Sequence, residues 1–316
     1  MALYRTYSDY LKEKYNEKVY KIPIALPVTC PNRDGTLDSD GCIFCGSIRA
    51  DYETKAVRME ITRQIDRSIS HVGPKYKAKK FIAYFLNFTN TYMPLSRFRY
   101  CVEEACGHPD IVGLAVSTRP DCIHESYLEV LREAQGKYGT NITVELGLQS
   151  VNPHTLLKIG RCHTVAEFID AALQIGRYHF DLCTHIIADL PWDDRIDVEE
   201  AAKLVSVLPV TEIKIHSLYI IKGTKLAKMY EKGDIKLLPP EEYAERVVLI
   251  LSMLRPDIVV QRIVGRASAN TLSVNGGRPW WEVKEYIEKL MRNRHIQQGS
   301  ACNYLHGSAV RRFLHE

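Results

Sequence analysis

Five short runs rich in β-branched and aromatic residues recur along this 316-residue sequence at intervals of about 30 to 40 residues. They are KFIAYFLNF (80–88), IVGLAVST (111–118), ITVELGLQ (142–149), LCTHIIADL (182–190) and EIKIHSLYI (212–220), and a sixth run, VYKIPIAL (19–26), precedes them. Helix-like stretches lie between the runs, over 94–106, 124–137, 165–178 and 198–208. Short strands alternating with helices predict βαβ units on a parallel sheet, because parallel neighbours need a long crossover. No GxGxxG fingerprint follows any run, so a barrel fits better than a dinucleotide-binding doubly wound sheet. DIVVQRIV (257–264) and a helical pattern over 280–293 read as an added strand and helix, with no linker before them. The expectation is an α/β chain with a partial (β/α)6 TIM-like barrel over 1–266 and a C-terminal helical extension with a basic tail over 267–316.

A chain of this length buries roughly three quarters of its unfolded surface, so neither a disulfide nor a structural metal is needed merely to fold. The first twenty residues carry too many charges for a secretory signal, and no apolar run reaches the roughly 18 residues of a membrane span. A cytoplasmic protein with no membrane partner is expected. In a reducing compartment the nine cysteines are core fillers, metal ligands or catalytic thiols before they are disulfide partners. Cys101, Cys106, Cys122, Cys162, Cys183 and Cys302 stand singly and read as small buried hydrophobes. A net charge of +4 permits an anionic partner without demanding one. From Arg292 onward, Arg292, Arg294, Arg311, Arg312 and three histidines face only Glu316, which reads as a solvated end or a nucleic-acid contact.

The remaining cysteines, Cys30, Cys42 and Cys45, form C-x11-C-x2-C in the loop after the first run. A structural zinc site wants four ligands, and only His71, on a helical pattern, offers a distant fourth. A thioredoxin-like pair would open a helix and would have no use for Cys30. Three thiolates suit an iron–sulfur cube whose last iron is left open to a small molecule bearing an amine and a carboxylate. An electron passed to such a molecule can cleave a sulfonium bond, with the protein supplying orientation and exclusion of water. Phe44, between the last two cysteines, either faces an adenine or shields the cluster.

In a parallel barrel, active residues gather where strands give way to loops at their carboxyl ends. Polar residues occupy each such end: Asn87 and Asn90, Ser117 with Arg119, Glu145 with Gln149, His185 with Asp189, and Lys214 with His216. The alternative reading is a polar barrel core whose hydrogen bonds are satisfied internally.

TCPNRDG…GCIFCG, YFLNFTNTY, STRPDC, VELGLQS, THIIADLP and IKIHSLYIIKGTKLAKMYEKG together resemble the YhcC-type branch of the radical S-adenosylmethionine (SAM) superfamily. The branch is similar in turn to the radical SAM part of the Elongator catalytic subunit, through TRPD, GxQS, HTV and DLP blocks. The resemblance implies a [4Fe-4S] cluster on Cys30, Cys42 and Cys45, with S-adenosyl-L-methionine as cosubstrate. It implies that Asn87, Thr89 and Asn90 meet the methionyl amine and that Ser117, Thr118 and Arg119 lie at the third strand end, Arg119 toward the methionyl carboxylate. Glu145 and Gln149 would face ribose and substrate with Arg161 nearby, and His185 would line the adenine side. Relatives read RGHT where this chain has Arg161, Cys162, His163 and Thr164, which puts a thiol beside the site and makes Cys162 a catalytic candidate. They read GLPG where it has Asp189, Leu190, Pro191 and Trp192, a change toward the Elongator pattern.

The resemblance further implies action on tRNA, with carboxymethylaminomethyl-uridine at the wobble position becoming aminomethyl-uridine. Lys214, Lys222 or Arg161 would hold the carboxylate, and an electron donor such as flavodoxin or ferredoxin would reduce the cluster. Two other readings are a radical enzyme acting on a small metabolite or a protein, and a non-catalytic iron–sulfur carrier. No self-association face is legible, so the sequence leaves the oligomeric state open.

Overall fold

All six expected strands are present in a computed structural model of the chain, which describes residues 2–46, 59–266 and 270–313. They are β1 (Val19–Ile24), β2 (Lys80–Phe85), β3 (Ile111–Thr118), β4 (Asn141–Gln149), β5 (Asp181–Ile187) and β6 (Glu212–His216). A short β7 (Ile220–Ile221) leaves the sheet, and β8 (Val259–Arg262) returns to it beside β6. The seven main strands lie in the order β1-β2-β3-β4-β5-β6-β8, every neighbouring pair parallel. Alternation along each strand sends one set of side chains outward under the helices and the other into the lumen. In β1, Ile22 and Ile24 are fully buried on the helix side, whereas Lys21 points inward and reaches Glu145 on the fourth strand. Its Nζ also lies 3.5 Å from Gln261 Oε1 on the last strand. Side chains of the two edge strands therefore meet, so the sheet is curled into a half-barrel.

The crossovers are α2 (Ile61–Tyr76), α3 (Leu95–Cys106), α4 (Glu125–Tyr138), α6 (Val165–Arg177), α7 (Arg195–Val207) and α9 (Pro240–Met253); α1 (Tyr7–Tyr15), the short α5 (Pro153–Lys158), α8 (Lys225–Lys232) and α10 (Trp280–Asn293) complete the helices used below. In α6 the buried residues Phe168, Ala171, Ala172 and Ile175 recur at helical spacing and form one apolar stripe. Thr164 caps this helix in a reciprocal capping box with Glu167, which fixes where the preceding loop, Arg161 to His163, must end.

α1 lies across the amino ends of the strands. Its Leu11, with Tyr7 and Tyr10, packs against Val19, Ile82 and Ala115. Lys14 bonds Asp181 at 2.9 Å and Asn141 at 2.8 Å, at the start of β5 and β4. Apolar packing and ion pairing together close that end of the barrel, leaving the carboxyl-end loops around the other.

Three expectations are corrected. The run expected as one strand over 212–220 stops at His216, because Ser217 Oγ bonds Asn275 Oδ1 at 2.6 Å and Leu218 N–H donates to Asp189 at 2.6 Å, turning the chain away. Its end, β7, pairs antiparallel with β9 (Thr271–Ser273). The strand read as an addition near 257–264 is the seventh member of the main sheet. Within the basic tail, Arg294 donates two hydrogen bonds to Glu245, at 2.5 and 2.6 Å, so it is not a free cation; the side chains of Arg311 and Arg312 and all of 314–316 lie outside the described residues. Of the six lone cysteines expected to be buried, Cys101, Cys106 and Cys183 are, whereas Cys122 and Cys302 are half-buried and Cys162 is exposed. No helix among the described residues is long and apolar enough to cross a membrane.

Candidate functional site

The three-cysteine loop leaves β1 at the carboxyl end of the barrel and is anchored from below. Leu26 N–H donates to Asn87 Oδ1 at 2.8 Å and Asn87 Nδ2 returns a bond to Leu26 O at 2.7 Å. Asn87 thus fixes the base of the loop, with both ends of its amide committed to Leu26. Thr89 N–H donates to Thr29 O at 3.3 Å, next to Cys30. Farther along, Cys45 N–H closes a turn on Cys42 O at 2.9 Å, and Ile43 N–H reaches Ile159 O at 3.1 Å. Phe44 packs on the side cluster that includes Leu156, Ile159, Ile187 and Leu226.

Cys42 is the most enclosed of the three thiols. Its Sγ receives Asn32 Nδ2 at 3.6 Å and Arg161 Nη1 at 3.7 Å. Arg161 is buried and fixed on each remaining nitrogen: Nε donates to His163 Nε2 at 2.9 Å and Nη2 to Gly147 O at 2.9 Å. A Cβ at Gly147 would lie 2.6 Å from Gln149 Nε2 and 3.0 Å from Arg161 Nη2, so a side chain there would displace the ends of these two side chains. His163 must accept from Arg161, so it is neutral at Nε2; burial first, then the charges of Arg161 and Arg119, pushes it down to about 3. Gln149 sits at the β4 end with a left-handed backbone, φ 71°, beside the break in register between β4 and β5.

Arg119, 3% exposed, forks onto Asp121 at 2.8 and 2.7 Å and donates to Arg161 O at 2.8 Å. Its Nη1 is buried with no partner. Asn90 spends its Nδ2 on Phe85 O and Ser117 O, at 2.9 and 2.8 Å, while its Oδ1 is likewise buried and unpartnered. Thr118 is held by Thr91, hydroxyl to hydroxyl at 2.6 Å. A buried donor and a buried acceptor without partners cost free energy. The carboxylate and the amine of an amino-acid ligand are the chemical groups that would supply the missing acceptor and donor.

The donor set fits an iron–sulfur cluster. In a tetrahedral zinc site the sulfurs lie about 3.8 Å apart. Among the described residues, the trio of Cys, His, Asp or Glu whose donor atoms lie within 4.8 Å of one another is Glu145, Cys183 and His185; Cys30, Cys42 and Cys45 are spread more widely than ligands of a single ion. Two buried guanidinium groups, Arg119 and Arg161, stand beside these thiols and offset the negative charge that a thiolate-ligated cluster carries. N–H groups aimed at a cysteinyl sulfur favour the more reduced, more negative state. Asn32→Leu is therefore expected to lower the cluster's midpoint potential, read by an anaerobic redox titration followed by electron paramagnetic resonance. An unchanged potential would remove Asn32 from this role.

The other residues named from the sequence fall in two places. Deeper in the lumen, Glu145 is fully buried and pairs with Lys21, with Lys214 at 2.5 Å and with His185 Nε2 at 2.9 Å. Burial opposes its ionisation, but Lys21, Lys214 and the His185 bond outweigh that and hold the carboxyl well below its usual range. Burial and Lys214 push His185 down to about 4, so at neutral pH it is a neutral donor to Glu145. Cys162 and Lys222 lie outside this group. Cys162 is exposed on a left-handed backbone, φ 56°, its thiol pushed up by desolvation and Asp38. Lys222 is exposed, its N–H bonded to Asn270 O at 3.0 Å.

Sequence reasoning passed over Asn32, His163 and Lys21. Asn32 and His163 stood inside quoted blocks, and Lys21 could have been found as the one charge within the inward alternation of VYKIPI.

The family described as the Radical SAM superfamily matches residues 29–205, and the Radical SAM C-terminal domain matches 210–293. The chain is 34% identical over 300 residues to the uncharacterized protein YtqA of Bacillus subtilis, covering 94% of this chain and 92% of that one. It is 31% identical over 301 residues to protein YhcC of Escherichia coli, covering 92% and 93% respectively. Its fold resembles the archaeal Methanocaldococcus infernus Elp3 with a TM-score of 0.60 at 18% identity, over 89% of this chain and 64% of that one.

Proposed function

The chain belongs to the radical SAM superfamily, whose members bind a [4Fe-4S] cluster and S-adenosylmethionine, and from that premise we propose that it modifies the wobble uridine of tRNA, converting carboxymethylaminomethyl-uridine to aminomethyl-uridine. When bound, the reduced cluster and SAM would supply a deoxyadenosyl radical able to take a hydrogen atom from the methylene between amine and carboxylate; loss of a second electron to a one-electron acceptor and addition of water to the resulting imine would break the C–N bond, releasing the two-carbon fragment as an aldehyde acid and leaving the amine on the nucleoside. Cys30, Cys42 and Cys45 would hold the cluster. Asn90 Oδ1 would accept from the methionyl ammonium and Arg119 Nη1 would donate to the methionyl carboxylate, the two groups left unpartnered in the buried wall. Arg161 ties Cys42 to Gly147 and His163, so it positions the cluster side of the site. Enzymes of this superfamily need a reductant, and a flavodoxin or ferredoxin would serve.

One observation carries the tRNA reading. The blocks that underlie the Elongator resemblance are far apart in sequence yet three of them share one hydrogen-bond network at the barrel mouth. Arg119 of TRPD bonds Arg161 O, Arg161 bonds Gly147 of GxQS, and it also bonds His163 of HTV. A carrier that only ferried clusters would have no use for a buried donor and acceptor left open beside them.

Mass spectrometry of tRNA nucleosides from cells with and without the protein tests the reading. Loss of the protein is expected to deplete aminomethyl-uridine and accumulate the carboxymethylaminomethyl form. An unchanged profile overturns the substrate. If RNA is bound through phosphates, affinity falls steeply with salt.

A further inference from the structure

Two lysines share a single buried carboxylate in the lumen. Lys21 of β1 and Lys214 of β6 approach Glu145 from opposite sides, one on each carboxylate oxygen. Both ammonium groups also lie over the ring of Tyr84, at 4.3 and 4.5 Å from its centroid. Against these two positive charges Glu145 is the one fully ionised carboxylate in contact, because His185 is a neutral donor to it. Glu212, one step toward the closed end, is pushed up to about 7 by burial and is bonded by Gln261, so it carries part of a charge at neutral pH, while Arg262 adds a positive charge near His185 and His216. A buried surplus of positive charge is costly unless an anion completes it. Glu145 has no exposed surface, yet the side chains of Lys21, Lys214 and His185 keep 14%, 7% and 15% of theirs, so open space adjoins the lysines rather than the carboxylate. Beside it, the His216 ring lies 5.2 Å from the His185 ring, and His216 Nε2 is buried with no partner.

A metal ion is the competing occupant, since Glu145, Cys183 and His185 bring donor atoms within 4.8 Å of one another. Two ammonium groups already on the same carboxylate repel a cation and use up its oxygens. The charge balance calls for an anion instead.

We propose that Lys21 and Lys214 form a cradle inside the barrel for the carboxylate of the substrate, with His216 Nε2 as an additional hydrogen-bonding contact and Glu145 as the residue that positions both lysines. The proposal rests on the reading above of a substrate bearing a glycine-like side chain, and deepens it by choosing among cations. Arg161 has every nitrogen engaged and Lys222 lies exposed in the turn after β7, away from this group, whereas Lys214 and the unforeseen Lys21 face each other across the lumen. A carboxylate seated there would set a second full negative charge against the two ammonium groups, and the methylene next to it would be held at a fixed depth below the cluster loop.

The test uses the anaerobically reconstituted holoenzyme and sarcosine, the smallest N-alkylated glycine, with dimethylamine as the probe lacking the carboxylate. Binding is read by saturation-transfer NMR for wild type, Lys21→Met and Lys214→Met. Each variant leaves one lysine balanced against Glu145, so the fold should persist, and matching melting temperatures confirm it. Wild type is expected to bind sarcosine and not dimethylamine, and each variant to bind sarcosine roughly tenfold or more weakly. Equal sarcosine binding in wild type and both variants, equal binding of the two probes, or no sarcosine binding by wild type overturns the cradle. The outcomes separate from the tRNA reading. Lysine-dependent sarcosine binding with an unchanged tRNA profile would leave the cradle standing for another carboxylate substrate, and a changed profile without it would leave the enzyme reading standing without the cradle.

Discussion

Replacing Cys42 with alanine is expected to remove the cluster and with it all measurable deoxyadenosine formation from S-adenosylmethionine. The effect should be among the largest of any single change because Cys42 is both a proposed cluster ligand and the hub of the local bonding. Its Sγ is the acceptor for Asn32 and Arg161, and Asn32 in turn bonds Gly160 O and Arg161 O, at 2.8 and 3.1 Å. Losing the thiolate leaves two of four corners of a cube with protein ligands and turns two donors toward empty space. Iron content, visible absorption and deoxyadenosine release after dithionite reduction are the measurements. A C42A protein that kept its iron and still cleaved the cosubstrate would show that the three cysteines do not act as a set.

The second large effect lies deeper. Glu145→Ala is expected to destabilise the fold by about 3–5 kcal/mol, because it strands two buried ammonium groups and the His185 donor without their shared partner. For a chain of this size that corresponds to a fall in melting temperature of roughly 5–10 °C. The acid side of the stability profile carries the same signature. The Glu145 carboxyl titrates well below its ordinary range in the folded chain, so below about pH 4.5 the unfolded chain takes up this proton first and stability falls as pH falls. His163, whose folded value is about 3, adds a loss of the same sign that begins near pH 6.5. Thermal melts between pH 4 and 7 should therefore show a slope that Glu145→Gln flattens at the acid end. A slope unaltered by that change would mean the lysines find other partners.

Much of this arrangement is legible in the chain itself, and what is not has physical causes. The strands announced themselves because VYKIPIAL, KFIAYFLNF and their successors are β-branched runs at crossover spacing, and the three-thiol loop by its cysteines alone. The break after His216 is different. It depends on Ser217 and Leu218 bonding Asn275 and Asp189, residues distant in sequence, so no local propensity reveals it. Lys21 escaped attention for a related reason. A lysine in a strand next to apolar neighbours reads as an edge residue meeting solvent, and only curling the sheet brings it opposite Glu145. Asn87 shows the converse: its place at a strand end suggested ligand contact, yet both ends of its amide hold the backbone of Leu26. Position at a strand end locates a residue near the chemistry, and the hydrogen-bond partners decide what it does there.

The helix lying across the amino ends of the strands has a kinetic consequence. With Lys14 clamped to Asp181 and Asn141 and Leu11 packed beneath the lumen, that end is covered among the described residues, which leaves the carboxyl-end loops as the way in and out. On the proposed activity, cosubstrate fragments and modified product would share that doorway with the next arrival, so turnover would depend on how quickly it clears.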